Sequence, residues 1–125
     1  MQDDFLVQNG QRAEVTTLPS GLQYEIIHMG NGPKPKLQDN VTVHYIGTLT
    51  NGTEFDSSYH RKQPITFPVT GVIAGWTEAL QLMPEGSTWK IYIPAPLAYG
   101  ARGIPGVIPP NAPLIFTIEL LQVNP

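Results

Sequence analysis

The sequence predicts an α+β fold, a twisted antiparallel sheet of five to six strands wrapped around one short helix, and three observations predict it. Apolar side chains alternate with a period of two over most of the chain from Leu18 onward, the signature of strands with one buried face. One segment, VIAGWTEALQLM (residues 72–83), abandons that period for a spacing of three and four. Thirteen prolines and twelve glycines among 125 residues fall between the apolar runs, leaving little room for long helices.

The elements follow in order. Residues 1–17, MQDDFLVQNGQRAEVTT, mix an apolar triplet (Phe5, Leu6, Val7) with Gly10 and polar residues, and are expected to form a tail or linker, or the end of a helix from a missing segment; residues 18–125 are expected to form one domain. Leu22, Tyr24 and Ile26 alternate with polar residues until Gly30-Asn31-Gly32-Pro33 ends the run. Val41, Val43 and Tyr45 share one face of the next strand, which ends near Leu49. Asn51-Gly52, a dipeptide suited to the positive φ angles of a tight hairpin, returns the chain through Phe55. Ile65, Phe67 and Val69 alternate again. Ile73, Trp76, Leu80 and Met83 then form one helical stripe, stopped by Pro84. Trp89, Ile91 and Ile93 mark a strand, and Leu114 to Val123 a long final one, apolar enough on both faces to lie centrally. An antiparallel sheet curled over the single helix buries all of these stripes in one core.

Composition removes several function classes. Apolar residues make up 41% of the chain, ordinary for a folded protein, and charged residues only 14%, which argues against disorder. A net charge of −3 supplies no cationic surplus for phosphates, so nucleic acid is not expected as a partner. Cysteine is absent, which excludes disulfides, thiol catalysis and cysteine-based zinc sites. No apolar run reaches the ~18 residues of a membrane span, and Met1-Gln2-Asp3-Asp4 does not open a signal peptide. His28, His44 and His60 form no helix-spaced pair, the serines no GxSxG elbow, and the glycines no dinucleotide loop, so neither a metal nor a cofactor is expected.

An aromatic inventory remains. Tyr45, Phe55, Trp76, Tyr99 and Phe116 come from distant segments, and the loop AYGARGIPGVIPPNAP (residues 98–113) carries Ile104, Val107 and Ile108, too apolar for an idle surface connection. For Trp76 alone, filling the core is an equally good reading. For the set, a concave apolar site is the better one, because one helix and one thin sheet do not easily cover five large rings and this loop.

The succession LPSGLQYEII (18–27), VTVHYIGTL (41–49), NGTEFDSS (51–58), GVIAGWTEALQLMPEGS (71–87), IPAPLAYGARG (93–103) and IPPNAPLIFTIELLQV (108–123) resembles the FKBP-type peptidyl-prolyl cis-trans isomerases, in particular their bacterial Mip-like branch. The resemblance implies a sheet wrapped around a short helix and a rotamase activity on X-Pro bonds that needs no cofactor. It implies Trp76 as the floor under a prolyl ring, with Phe55, Ile65, Val72, Ile73 and Phe116 as substrate-binding walls beside Tyr45. It makes Tyr45, Asp56 and Tyr99 the catalytic set. Tyr99 and the Ile73 N–H would donate to substrate carbonyls, and Asp56 would orient or act electrostatically without moving a proton. Arg61 would pair with Asp56 or Tyr45 and hold the rim, while Val107 and Ile108 would cap the pocket. Two positions depart from the family pattern: Ile65 where many relatives carry an aromatic, and Gly71 where a polar residue is common. The implied partners are proline-containing peptides and folding proteins, together with FK506/rapamycin-type macrolide inhibitors. Two other readings stand beside the isomerase: a chaperone or proline-peptide binding module with little turnover, and a structural domain whose 99–113 loop fills the core. Mip-like relatives often pair two copies through an N-terminal helical segment; the 17-residue stretch here is expected to be too short, making the chain a monomer and a longer parent protein a candidate homodimer. That branch also suggests the periplasm or cell envelope of a bacterium, with the cytoplasm as the alternative.

Overall fold

The alternation at Val41, Val43 and Tyr45 is realised in a ten-residue strand that buries all three, and the rest of the sheet is arranged around it. The structure, a computed structural model, describes residues 2–124, with side chains from Phe5 on. In chain order the elements are α1 (Gln2–Gly10), β1 (Val15–Thr17), β2 (Gln23–His28), β3 (Asn40–Leu49), β4 (Glu54–Ser57), β5 (Ile65–Pro68), α2 (Ala74–Leu80), β6 (Thr88–Ile93) and β7 (Leu114–Asn124), with short 3-10 turns at Val69–Gly71 and Ala95–Leu97. The class is the expected one, α+β with a wholly antiparallel sheet. Its order is β1-β2-β6-β7-β3-β4, and β5 lies beside the first half of β3. There are seven strands, one more than the upper expectation, because residues 15–17 pair with Gln23–Glu25 of β2.

β7 is central, paired with β3 from Asn40↔Asn124 to Leu49↔Leu114 and with β6 on its other side. One edge of β3 carries two partners in succession, β5 against Asn40–Val43 and β4 against Ile46–Thr48. The strand therefore leaves the shelter of β5 and enters that of β4 at Tyr45. The connection between β3 and β4 uses its Asn-Gly differently from a two-residue turn: Gly52 alone adopts positive φ (90°), and the Asn51 side chain accepts the Thr53 amide at 2.9 Å.

The helical stripe is shorter than its periodicity. Val72 is extended (φ −129°, ψ 173°), and α2 covers only seven residues, yet Trp76, Leu80 and Met83 are all buried as the stripe predicts. The helix lies almost in contact with the sheet at Gly75, where a Cβ would come within 2.6 Å of Ile93 Cγ2. Thr77 Oγ1 donates to the Val69 carbonyl at 2.7 Å, tying α2 to the turn before it.

Ile93 faces α2, so Tyr92 and its register partner Gln23 face the other side of the sheet, and α1 packs there. Phe5 meets the Tyr92 ring at 6.0 Å. Asn9 Nδ2 donates to Gln23 Oε1 at 2.8 Å, and Gln23 Nε2 to the Leu6 carbonyl at 2.8 Å, so a nearly buried amide pair has its polar atoms engaged. Arg12 joins Asn9, the Tyr92 hydroxyl and Glu25 around the same point.

Candidate active site

Three rings stand almost perpendicular to one indole. Tyr45 from β3, Phe67 from β5 and Phe116 from β7 lie 5.1, 5.7 and 5.2 Å from Trp76 of α2, at interplanar angles of 86°, 84° and 89°. The indole is the floor of a box and these rings are its sides; Phe55 from β4 adds an edge against Phe116 at 5.6 Å and 88°. The edge-to-face arrangement is the one that aromatic quadrupoles favour. It encloses a cavity of about 440 Å³ lined also by Asp56, Gly71, Val72, Ile73 and Tyr99. Trp76 is only 4% exposed, and its buried Nε1 finds no partner among the described residues.

Phe55 and Phe116 can approach each other because Gly47, under both, has no side chain: a Cβ there would sit 2.7 Å from each ring. Tyr45 is fixed by the chain that follows β4. Its N–H donates to Ser58 Oγ at 2.7 Å and its carbonyl accepts the Ser58 N–H at 3.0 Å, with Ser58 fully buried. His44, on the opposite face of the strand, contacts the same hydroxyl through Nδ1 at 2.8 Å and stacks on Tyr59.

The rim is a closed polar triangle. Tyr45 Oη donates to Asp56 Oδ2 at 2.5 Å, Arg61 Nη1 to Asp56 Oδ1 at 2.7 Å, and Arg61 Nη2 to Tyr45 Oη at 3.1 Å. Burial alone would raise the Asp56 carboxyl, but the hydrogen bonds from Arg61 and Tyr45 outweigh it and hold the group below its ordinary value. Burial, reinforced by the bond to Asp56, pushes the Tyr45 phenol up against the opposing pull of Arg61. At neutral pH the carboxylate is therefore charged and the phenol protonated, with both carboxylate oxygens occupied. This triangle can orient and polarise, but it offers no proton to relay.

Tyr99, also in the cavity lining, is 38% exposed. The Ile73 carbonyl takes the first bonds of α2, from Trp76 and Thr77, while the Ile73 N–H has no acceptor among the described residues. A hydroxyl and an amide thus remain as donors beside an apolar box.

Of the residues singled out from the sequence, Tyr45, Phe55, Asp56, Val72, Ile73, Trp76, Tyr99 and Phe116 line one cavity, and Arg61 joins them through the rim. Ile65, Val107 and Ile108 do not line it. Ile65 pairs with Val43 and packs against the core, one pleat short of the cavity; Phe67, two residues on and absent from the candidate set, is the ring that reaches it. The 98–113 loop pinches itself closed by reciprocal hydrogen bonds of 2.8 Å between Ile104 and Ile108. With this bridge Ile108 lies in the core at 3% exposure and Val107 is 47% exposed, and neither is among the residues lining the cavity. Ser58, dismissed with the other serines as a nucleophile, and Gly47 are likewise outside the candidate set. The alternation of Ile65, Phe67 and Val69 was the available signal for Phe67; nothing local marks the other two. Among the described residues no three metal-ligating side chains cluster, and no helix is long and apolar enough to cross a membrane.

The comparisons agree with this geometry. The family profile described as "FKBP-type peptidyl-prolyl cis-trans isomerase" matches residues 32–121, and the one described as "Domain amino terminal to FKBP-type peptidyl-prolyl isomerase" matches residues 1–26. The chain is 55% identical over 122 residues to the outer membrane protein MIP of Legionella longbeachae, covering 98% of this chain and 52% of that protein. It is 54% identical over 120 residues to the peptidyl-prolyl cis-trans isomerase Mip of Coxiella burnetii, covering 96% and 52%. The chain thus spans about half the length of these curated relatives. Among solved structures it superposes on FkpA from Escherichia coli with a TM-score of 0.95 at 44% identity, covering 99% of this chain and 58% of that one. A peptidyl-prolyl cis-trans isomerase from Pseudomonas syringae pv. tomato gives 0.94 at 40% identity, covering 99% and 91%. With a family profile over residues 32–121, the fold and an aromatic box all in agreement, the chain belongs to the FKBP-type peptidyl-prolyl cis-trans isomerase family.

Proposed function

We propose that this chain accelerates cis-trans rotation about the peptide bond preceding proline in polypeptide substrates. The observation that carries the reading is the box itself: a flat, apolar indole floor with rings at right angles around it, open at a mouth where donors wait. A planar amide is held by resonance that places partial charge on its carbonyl oxygen, and the barrier to rotation is about 18–20 kcal/mol. Twisting the bond removes that polarity, so a site without water favours the twisted amide over the flat one. A ten-thousandfold acceleration requires only about 5.5 kcal/mol of such preference.

In this reading the prolyl ring rests on Trp76 between Tyr45, Phe67 and Phe116, with Phe55, Val72 and Ile73 completing the walls. The Ile73 N–H and Tyr99 Oη hold substrate carbonyls on either side of the rotating bond. Asp56, pinned by Arg61 and Tyr45, presents a fixed negative field at the rim without transferring a proton. The isomerase body is proposed to be residues 18–125, with residues 1–17 as the connecting segment pinned onto it. FK506- or rapamycin-type macrolides are proposed to occupy the same box. A periplasmic or cell-envelope setting is supported by the relative named as an outer membrane protein, and pairing of two copies in a longer parent chain by the N-terminal profile match at residues 1–26.

The test is a proline-peptide isomerisation assay on the folded chain with and without such a macrolide. Acceleration abolished by the macrolide is expected. Peptide binding without acceleration would instead mark a proline-peptide binding module, and neither would refute the site.

A further inference from the structure

A second depression, of about 500 Å³, lies beside the aromatic box, walled by Thr70, Val72, Ala74, Thr77, Glu78 and Gln81. Val72 lines both hollows, so its side chain is the ridge between them. The Ile73 N–H, proposed above to hold a substrate carbonyl, is one residue from that ridge, which brings the second depression within reach of residues flanking the proline.

Two of the polar side chains in its walls are held by hydrogen bonds to backbone carbonyls. Thr77 Oγ1 donates to the Val69 carbonyl at 2.7 Å, and Gln81 Nε2 to the Thr77 carbonyl at 2.9 Å. Glu78 is the one charged residue in the lining. It accepts a hydrogen bond from Ser20 Oγ at 2.6 Å on Oε1, a neutral partner that leaves its charge uncompensated. Glu14, Glu25, Glu54 and Asp56 each face an arginine or a histidine; among the described residues no such cation faces Glu78, nor Asp39, Glu85 and Glu119, which lie outside both hollows.

We infer that this depression is a second substrate subsite and that Glu78 makes it selective for lysine or arginine near the isomerised proline. The inference rests on the isomerase reading, and it adds a residue that determines which prolines are served. A half-buried carboxylate beside the path of the chain attracts a cationic side chain and repels an anionic one, while the box reads only the prolyl ring.

The experiment measures kcat/KM for short proline peptides that are identical except for alanine, lysine or glutamate placed two residues before or two residues after the proline. Wild-type protein is expected to prefer lysine over glutamate in one placement by about two- to fivefold, the range of partly exposed ion pairs. The preference should shrink in about 0.5 M salt. In Glu78→Gln the lysine-to-glutamate ratio should fall to that of the other placement, and in Glu78→Lys it should invert; each ratio is internal to its variant, so a general loss of activity does not alter it. Equal rates for lysine and glutamate peptides in both placements, or a preference that survives Glu78→Gln, would overturn the inference. Turnover of the alanine peptide tests the isomerase reading separately, and if it is absent the same ratios are read as dissociation constants.

Discussion

Gly47→Ala tests whether the box depends on two rings meeting over bare backbone. The added methyl would sit 2.7 Å from Phe55 Cζ and from Phe116 Cε1, roughly an ångström inside ordinary contact, so at least one ring must move. Phe116 is 5% exposed in the central strand, with Trp76 and Tyr45 against it, and has nowhere to go. Phe55 is half-buried and is the ring that swings, into the cavity it lines. Overpacking of this kind costs about 1–3 kcal/mol. That leaves the protein folded, within the usual 5–15 kcal/mol stability of a domain, but should lower Tm by about 4 °C per kcal/mol. Because the displaced ring is a wall of the site, kcat/KM for a proline peptide should fall about ten- to a hundredfold, as expected for an ångström-scale misplacement. Thermal melting and the isomerisation assay are read together, and Phe55→Leu added to Gly47→Ala should recover much of the lost stability by making room. A Gly47→Ala protein with wild-type melting and wild-type turnover would refute the packing argument.

Four further outcomes follow from the same geometry. Phe67→Ala should lower kcat/KM at least as much as Ile65→Ala, since only Phe67 meets Trp76; steady-state assays of the two variants decide this. Trp76→Ala should lower catalysis and also destabilise the fold by about 3–5 kcal/mol in denaturant titration, because the indole is core as well as floor. The Asp56 carboxyl lies below its ordinary value, so the stability it confers is present above a pH of about 3.9 and is lost as pH falls through its folded value. The stability gap between wild type and Asp56→Asn should accordingly be small, given the exposed rim, and should close in acid. Asn9→Ala leaves Gln23 Oε1 without its donor and should cost about 1–3 kcal/mol by chemical denaturation, with kcat/KM unchanged, because the pair lies on the face of the sheet opposite the box.

The fold was legible where burial is one-sided. Val41, Val43 and Tyr45, and Trp89, Ile91 and Ile93, each declared a strand, because a period of two has one explanation when a single face is wet. The stretch before Leu18 was less legible: the strand at Val15–Thr17 is too short to show a period, and α1 presents no sustained apolar stripe. The site followed the same division. Tyr45, Trp76 and Phe116, carried by strands and by α2 whose geometry fixes the direction of a side chain, line one cavity. Ile65 and Phe67 share one face of β5, and only the position of β5 along β3 decides which of them reaches the box. Val107 and Ile108 depended on a bridge between Ile104 and Ile108 that no local pattern announces. Ser58 and Gly47 act through distant backbone and distant rings, a kind of constraint that a linear reading does not hold.

The two indoles differ in a way that makes them separate optical reporters. Both are almost wholly buried and neither Nε1 has a partner among the described residues, so each should emit toward the blue, as an indole shielded from relaxing water does. Trp76 underlies the cavity, whereas Trp89 is stacked on Tyr24 at 4.5 Å and takes no part in its lining. Emission from Trp76 should therefore respond when the box is filled, and emission from Trp89 only when the sheet comes apart. A Trp89→Phe protein would watch occupancy alone, and a Trp76→Phe protein would watch unfolding alone.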